Sequence, residues 1–361
     1  MANSNPRAVV LFCSGYNSYM TNNNDWLASF FIDQNIAVYG YDHHSSGRST
    51  SNAENKLASL GVGDSLRRSV RRVLCCYGRL GYIPSFDGLV RDALFMLCTV
   101  SSCEPGLPIF IIGESMGGAI ALEASQAFGT GKVSLILLAP MCSLGKAVAV
   151  SPVIQWLGWL LAQVAPLLPA PTLKDTTHLH VKSPEKLKDV LADPLRWQKK
   201  VRLGTAFTLK GATAQTASRL HLYAPASILV LHGSSDAMCP LEGSMALLTA
   251  STCQDKILLE YTGGFHTLWA EPVSTRRRML CDIVNWVAAR APGVKIPEKS
   301  WEPADYAQQE IKLSPRPTGS FHHTLRPLGT GDFIDSSPFT ARPATFSVSA
   351  AGRGGGASAL E

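Results

Sequence analysis

The chain has 361 residues, 46% hydrophobic and 17% charged, which supplies ample apolar material for a sizeable core and excludes a polar, disordered chain. Its 33 basic and 27 acidic side chains leave a formal charge of +6 with no nucleic-acid recognition motif, so nucleic acid is not an expected partner, while anionic lipid surfaces stay open. Nine cysteines, an odd number, lie partly in apolar runs such as 9–13 and 93–98, and suit buried free thiols of a reducing compartment better than a disulfide framework.

In chain order, residues 1–7 lack a signal-peptide layout and the apolar run 8–13 is too short for an h-region. The expectation is a soluble cytoplasmic protein, at most peripheral at membranes. A strand over 8–12 ends in Cys13-Ser14-Gly15-Tyr16, and a helix over 24–33 leads to a weaker strand over 36–41. Residues 50–80 read as an insert with a basic cluster, Arg67-Arg68-Ser69-Val70-Arg71-Arg72, near Cys75-Cys76. A helix over 85–100 precedes a strand over 108–112, a helix over 116–128 and a strand over 133–138. Residues 141–220 form a mostly helical insert; its apolar stretch 153–168 is interrupted by Gln155, Gln163 and Pro166 and falls short of the roughly 18 apolar residues of a membrane span. Strands over 228–231 and 256–261 and helices over 241–249 and 274–291 follow. From about residue 292 the chain turns rich in Pro, Ser, Thr and Gly and reads as a disordered tail, 292–361. Strands alternating with helices, each strand apolar on both faces, predict an α/β protein with a mostly parallel, doubly wound sheet over 1–291 and a helical cap at 141–220.

The strand over 108–112 runs into Gly113-Glu114-Ser115-Met116-Gly117, and a helix follows at once. That is the context of a nucleophile elbow, a turn tight enough to need small residues two before and two after its serine. A serine requires a base, and the base an orienting acid. Asp236 stands just past the strand 228–231 and His266 just past 256–261, so both fall on the strand-end edge that carries Ser115. In these roles Ser115 attacks an acyl carbonyl, His266 relays the proton and Asp236 holds the imidazole tautomer. Oxyanion donors are expected from the backbone N–H of Met116 and, in the loop after the first strand, of Tyr16. Gly63-Asp64-Ser65-Leu66 follows no strand and reads as coincidence; His43-His44 has no third ligand at metal spacing; His178 and His180 read as solvent-facing; Cys239 is either a thiol near the pocket or a small apolar residue. No metal or cofactor is expected. The tryptophan-bearing stretch 153–161 is apolar on most faces, either packed within the cap or exposed to a membrane interface.

With Gly81-Tyr82-Ile83-Pro84-Ser85-Phe86-Asp87, Ala139-Pro140-Met141-Cys142 and Leu231-His232-Gly233 added to the elbow, Asp236 and His266, the chain resembles the monoacylglycerol lipase-like α/β-hydrolases, especially the plant-type branch, over roughly 8–290. The resemblance implies cofactor-independent ester hydrolysis and a triad of Ser115, Asp236 and His266. The chain departs from the family where His-Gly-Tyr-Gly is usual and Ser14-Gly15-Tyr16-Asn17 stands, and at His43-His44-Ser45-Ser46-Gly47; it begins almost at the family's third strand. The expected substrate is a lipid monoester, a monoacylglycerol or lysophospholipid; the rivals are an esterase for a small or phenolic ester, an acyltransferase, and a non-catalytic ligand-binding protein on the same scaffold.

Overall fold

The computed structural model describes residues 5–20, 25–49, 79–170, 177–297 and 308–311. Gly63-Asp64-Ser65-Leu66, the arginine cluster, Cys75-Cys76 and nearly all of the expected tail lie outside them. Among the described residues seven strands form one sheet in the order β2-β1-β3-β4-β5-β6-β7. They are β1 (Ala8–Cys13), β2 (Ile36–Gly40), β3 (Ile109–Glu114), β4 (Ser134–Leu138), β5 (Ile228–Gly233), β6 (Lys256–Tyr261) and β7 (Gln308–Ile311). All pairings are parallel except β6 with β7.

Uninterrupted apolar runs are explained by the two cores they serve. Successive side chains of a strand point to opposite faces. Val9, Leu11 and Cys13 of β1 join one buried cluster, together with Leu89 and Leu97 of α2 (Phe86–Cys103) and Ile120 of α3 (Met116–Phe128). Ala8, Val10 and Phe12 join the other, against Phe31 of α1 (Asp25–Asp33) and, further along the chain, the C-terminal helix Val273–Ala288. Helix α2 shows how little the letters alone decide. Its buried residues, Phe86, Leu89, Ala93, Leu97 and Val100, keep helical spacing, and Ser85 caps it by accepting from the Gly88 N–H. Cys98, expected to be buried in its apolar run, is exposed because it follows Leu97 around the helix to the solvent side.

Between β4 and β5 lie α4 (Pro152–Val164), the short α5 (Thr177–His180), α6 (Pro184–Ala192) and α7 (Leu203–Ser218). Gly158 of α4 approaches Phe207 of α7, and Ala162 and Leu203 share a small core with it. Further along, α7 joins the main core through Ala212 and reaches Glu123 of α3 through Gln215. The expected insert therefore ends inside the body of the protein, while its middle covers the strand ends. β7, within the stretch read as a tail, adds an antiparallel edge opposite Leu258–Tyr261. Helices α8 (Leu241–Ala250) and α9 (Val273–Ala288) complete the layers.

Candidate active site

Parallel strands in register bring their C-terminal ends to one edge: Cys13 opposite Gly113, Glu114 opposite Leu138, Gly233 opposite Tyr261. Ser115 leaves β3 there with φ 53 and ψ −117, a backbone conformation rare for a residue with a side chain. Its surroundings hold it: the Ser115 N–H donates to the Leu138 carbonyl at 2.9 Å, and its own carbonyl accepts from Gly118 and Met141, each at 2.9 Å. A Cβ on Gly117 would stand 2.0 Å from the Cys13 carbonyl oxygen, and one on Gly113 would stand 2.6 Å from that of Gly117. The two glycines are thus required by close backbone approach.

The loops carrying Asp236 and His266 are joined to each other. A Cβ on Gly233 would lie 2.3 Å from the Gly264 carbonyl oxygen, and the Ser235 N–H donates to that oxygen at 3.0 Å. The Phe265 N–H donates to buried Glu271 at 2.8 Å, fixing the turn before His266. Asp236 Oδ2 lies 2.7 Å from His266 Nδ1, and His266 Nε2 lies 2.9 Å from Ser115 Oγ. Because a carboxylate only accepts, Nδ1–H is the donor, and Nε2 is left to accept from the serine hydroxyl. Asp236 Oδ1 accepts from the N–H groups of Met238 (2.8 Å) and Cys239 (3.0 Å). Burial alone would raise the Asp236 carboxyl; hydrogen bonds from His232 and His266, the charge of His266 and the Cys239 N–H together outweigh it and hold Asp236 well below the usual carboxylate range.

Sequence reasoning brought Ser115, Asp236 and His266 forward, and the structure brings them together. Gly15 abuts the elbow: a Cβ there would stand 3.4 Å from Ser115 Cβ. Among the described residues no hydrogen bond occupies the backbone N–H of Tyr16 or Met116. Around this set stand residues that sequence reasoning missed. His232, fully buried, has Nε2 2.8 Å from the Cys239 carbonyl and 3.3 Å from Asp236 Oδ2, so it donates there and accepts at Nδ1 from the Ser244 hydroxyl, 2.8 Å away. Buried His43 donates from Nε2 to the Ser14 carbonyl at 3.0 Å. His180 is not solvent-facing: its ring meets that of His266 edge-to-face at 5.1 Å, and its carbonyl accepts from the Thr267 N–H at 3.0 Å. His178 is exposed. Cys239 is buried, and burial pushes its thiol well above the ordinary value, so it is neutral. Burial likewise raises Glu114, the residue before the serine, against the opposing charges of His266 and Arg196. No cluster of metal-ligating side chains occurs among the described residues.

A parallel sheet with an elbow serine after its third strand, an acid and a histidine after later strands, and a helical cap is an α/β-hydrolase fold. The chain belongs to the family described as serine aminopeptidase, S33, whose model matches residues 4–273. A monoacylglycerol lipase of Mycolicibacterium smegmatis is 24% identical over 79% of this chain and 90% of its own. A monoglyceride lipase of Rattus norvegicus is 30% identical over 58% of this chain and 67% of its own. The solved structure of a soluble variant of monoglyceride lipase from Saccharomyces cerevisiae, in complex with a substrate analog, shares the fold at a TM-score of 0.62, covering 80% of this chain and 88% of that one, with 17% identity.

Proposed function

We propose that the protein is a cofactor-independent serine hydrolase that cleaves the carboxylic ester of a lipid, a monoacylglycerol or lysophospholipid. The observation that carries this reading is the continuous relay from Asp236 through His266 to Ser115, at 2.7 and 2.9 Å, in a strained elbow. Ser115 Oγ bonds to the acyl carbon as its proton passes to His266 Nε2. The carbonyl π pair moves onto oxygen, where the N–H groups of Tyr16 and Met116 receive it, and returns as the alcohol leaves with the proton from His266. Water, deprotonated by the same nitrogen, then releases the acid and restores Ser115.

The lipid assignment is supported by the lipase relatives and by the cap. Val153, Trp156, Leu157, Trp159, Leu160 and Val164 of α4 are exposed, and an exposed apolar helix surface in the insert suits a substrate that arrives from a lipid surface. No helix among the described residues is long and apolar enough to cross a membrane.

A fluorophosphonate probe labels the wild type and not Ser115→Ala; a folded wild type that takes no label overturns the enzyme assignment. Turnover of a monoacylglycerol, a lysophospholipid and a soluble phenolic ester is then compared. A preference for the phenolic ester would replace the lipid by a small soluble substrate.

A further inference from the structure

The loop after β1 carries Asn17, whose side chain has a structural use. We infer that Asn17 is a positioning residue that fastens the oxyanion loop to the cap; the inference rests on the ester-hydrolase reading above. Asn17 has φ 59, in the left-handed region where glycine is the default and asparagine the best-tolerated substitute. What asparagine adds is a side-chain amide, and both of its ends are used on one cap residue. Oδ1 accepts from the Trp197 N–H at 2.7 Å, and Nδ2 donates to the Trp197 carbonyl at 3.0 Å, across 180 positions of sequence. Two bonds to one residue fix orientation as well as distance, which a single bond does not. Two residues on, the Tyr19 hydroxyl donates to Asp193, also in the cap.

The cap side of this clamp is itself braced. The Trp197 indole N–H donates to the Lys200 carbonyl at 2.8 Å, and the Arg202 guanidinium lies over the indole, 3.7 Å from its centroid. Arg202 in turn donates to the carbonyls of Leu80 and Leu167 at 3.1 and 2.8 Å. On the inner side the Ser14 carbonyl accepts from His43 at 3.0 Å. The loop is gripped at 14 and at 17, and between the grips lie Gly15, against Ser115, and Tyr16, whose N–H has no partner among the described residues. A donor serves an oxyanion only within about 2.7–3.1 Å of it, and a displacement of about 1 Å costs up to about 100-fold in rate. Segment 193–202 therefore bears on the oxyanion loop: while seated, it holds the Tyr16 peptide in place, and lifting it slackens the loop.

Asn17→Gly is the decisive variant, because it keeps the left-handed backbone free of cost and deletes both bonds. With a short-chain p-nitrophenyl ester, too small to need the cap for binding, kcat falls about tenfold or more while KM stays within about twofold. Asn17→Asp, which still accepts from the Trp197 N–H but sets a carboxylate oxygen against its carbonyl, also lowers kcat. An Asn17→Gly protein that melts cooperatively and keeps kcat within about twofold of wild type, or changes KM alone, overturns the inference. Should Asn17→Gly not fold, an Asn17→Asp protein with wild-type kcat overturns it equally. A wild type that neither takes the probe nor turns over ester overturns the hydrolase reading and this inference with it, whereas an active wild type with an unaffected Asn17→Gly removes this inference alone.

Discussion

Asp236 does several jobs with four lone-pair directions. It orients His266, takes the Met238 and Cys239 N–H groups that shape its own loop, and receives a second imidazole from His232. Asp236→Asn keeps the volume but places an NH2 where one of these donors points, which favours the His266 tautomer protonated at Nε2, useless to Ser115. The expected result is a fall in kcat of about 10⁴-fold with circular dichroism unchanged. A loss below about tenfold would show that His266 does not depend on this carboxylate for its tautomer. The meeting of Ser115, Asp236 and His266 was legible because these residues carry local signals: a strand-to-helix turn with glycines two either side, then an acid and a histidine each just past a strand. Asn17 and Trp197, or His180 and His266, carry none. Their contact exists only once distant loops have been folded onto the same edge.

At the scale of elements, helix α4 is the one whose packing leaves most apolar surface uncovered. Of its residues only Ala162 is buried, while Trp156 and Leu160, one turn apart on one face, are 54% and 42% exposed. Placing glutamate at both positions should abolish sedimentation with phospholipid vesicles and leave turnover of a soluble ester near wild type. Unchanged vesicle binding would show that α4 is not the contact. Both readings of the stretch 153–161 were open in its sequence, because a helix apolar on most faces looks the same whether its neighbours cover it or not. The central strands were legible for the opposite reason: burial on both faces demands an unbroken apolar run. β7 was not, since Gln308-Gln309-Glu310-Ile311 has no such run and joins β6 by backbone pairing.

For the molecule as a whole, buried ionisable groups set how stability follows pH. Burial pushes His43 down to about 4, the bond to the Ser14 carbonyl opposing it only in part. In the unfolded chain its value is about 6.5. Between the two, the unfolded chain binds a proton that the folded one refuses, so stability falls as pH drops through that window, by up to about 3 kcal/mol, and is complete above it. Urea midpoints of wild type and His43→Gln at pH 7 and 4.5 should show the smaller loss in the variant; equal losses would assign the acid sensitivity elsewhere. Ser115 and His266 are separated by 151 positions, and the sheet order sets β4 and β5 between β3 and β6. Loop closure over such a span precedes any reward from the contact. No fragment ending before β6 holds a complete relay, because His266 follows that strand. Hydrolysis is then a report on the finished topology, since it needs both β3 and β6 in place.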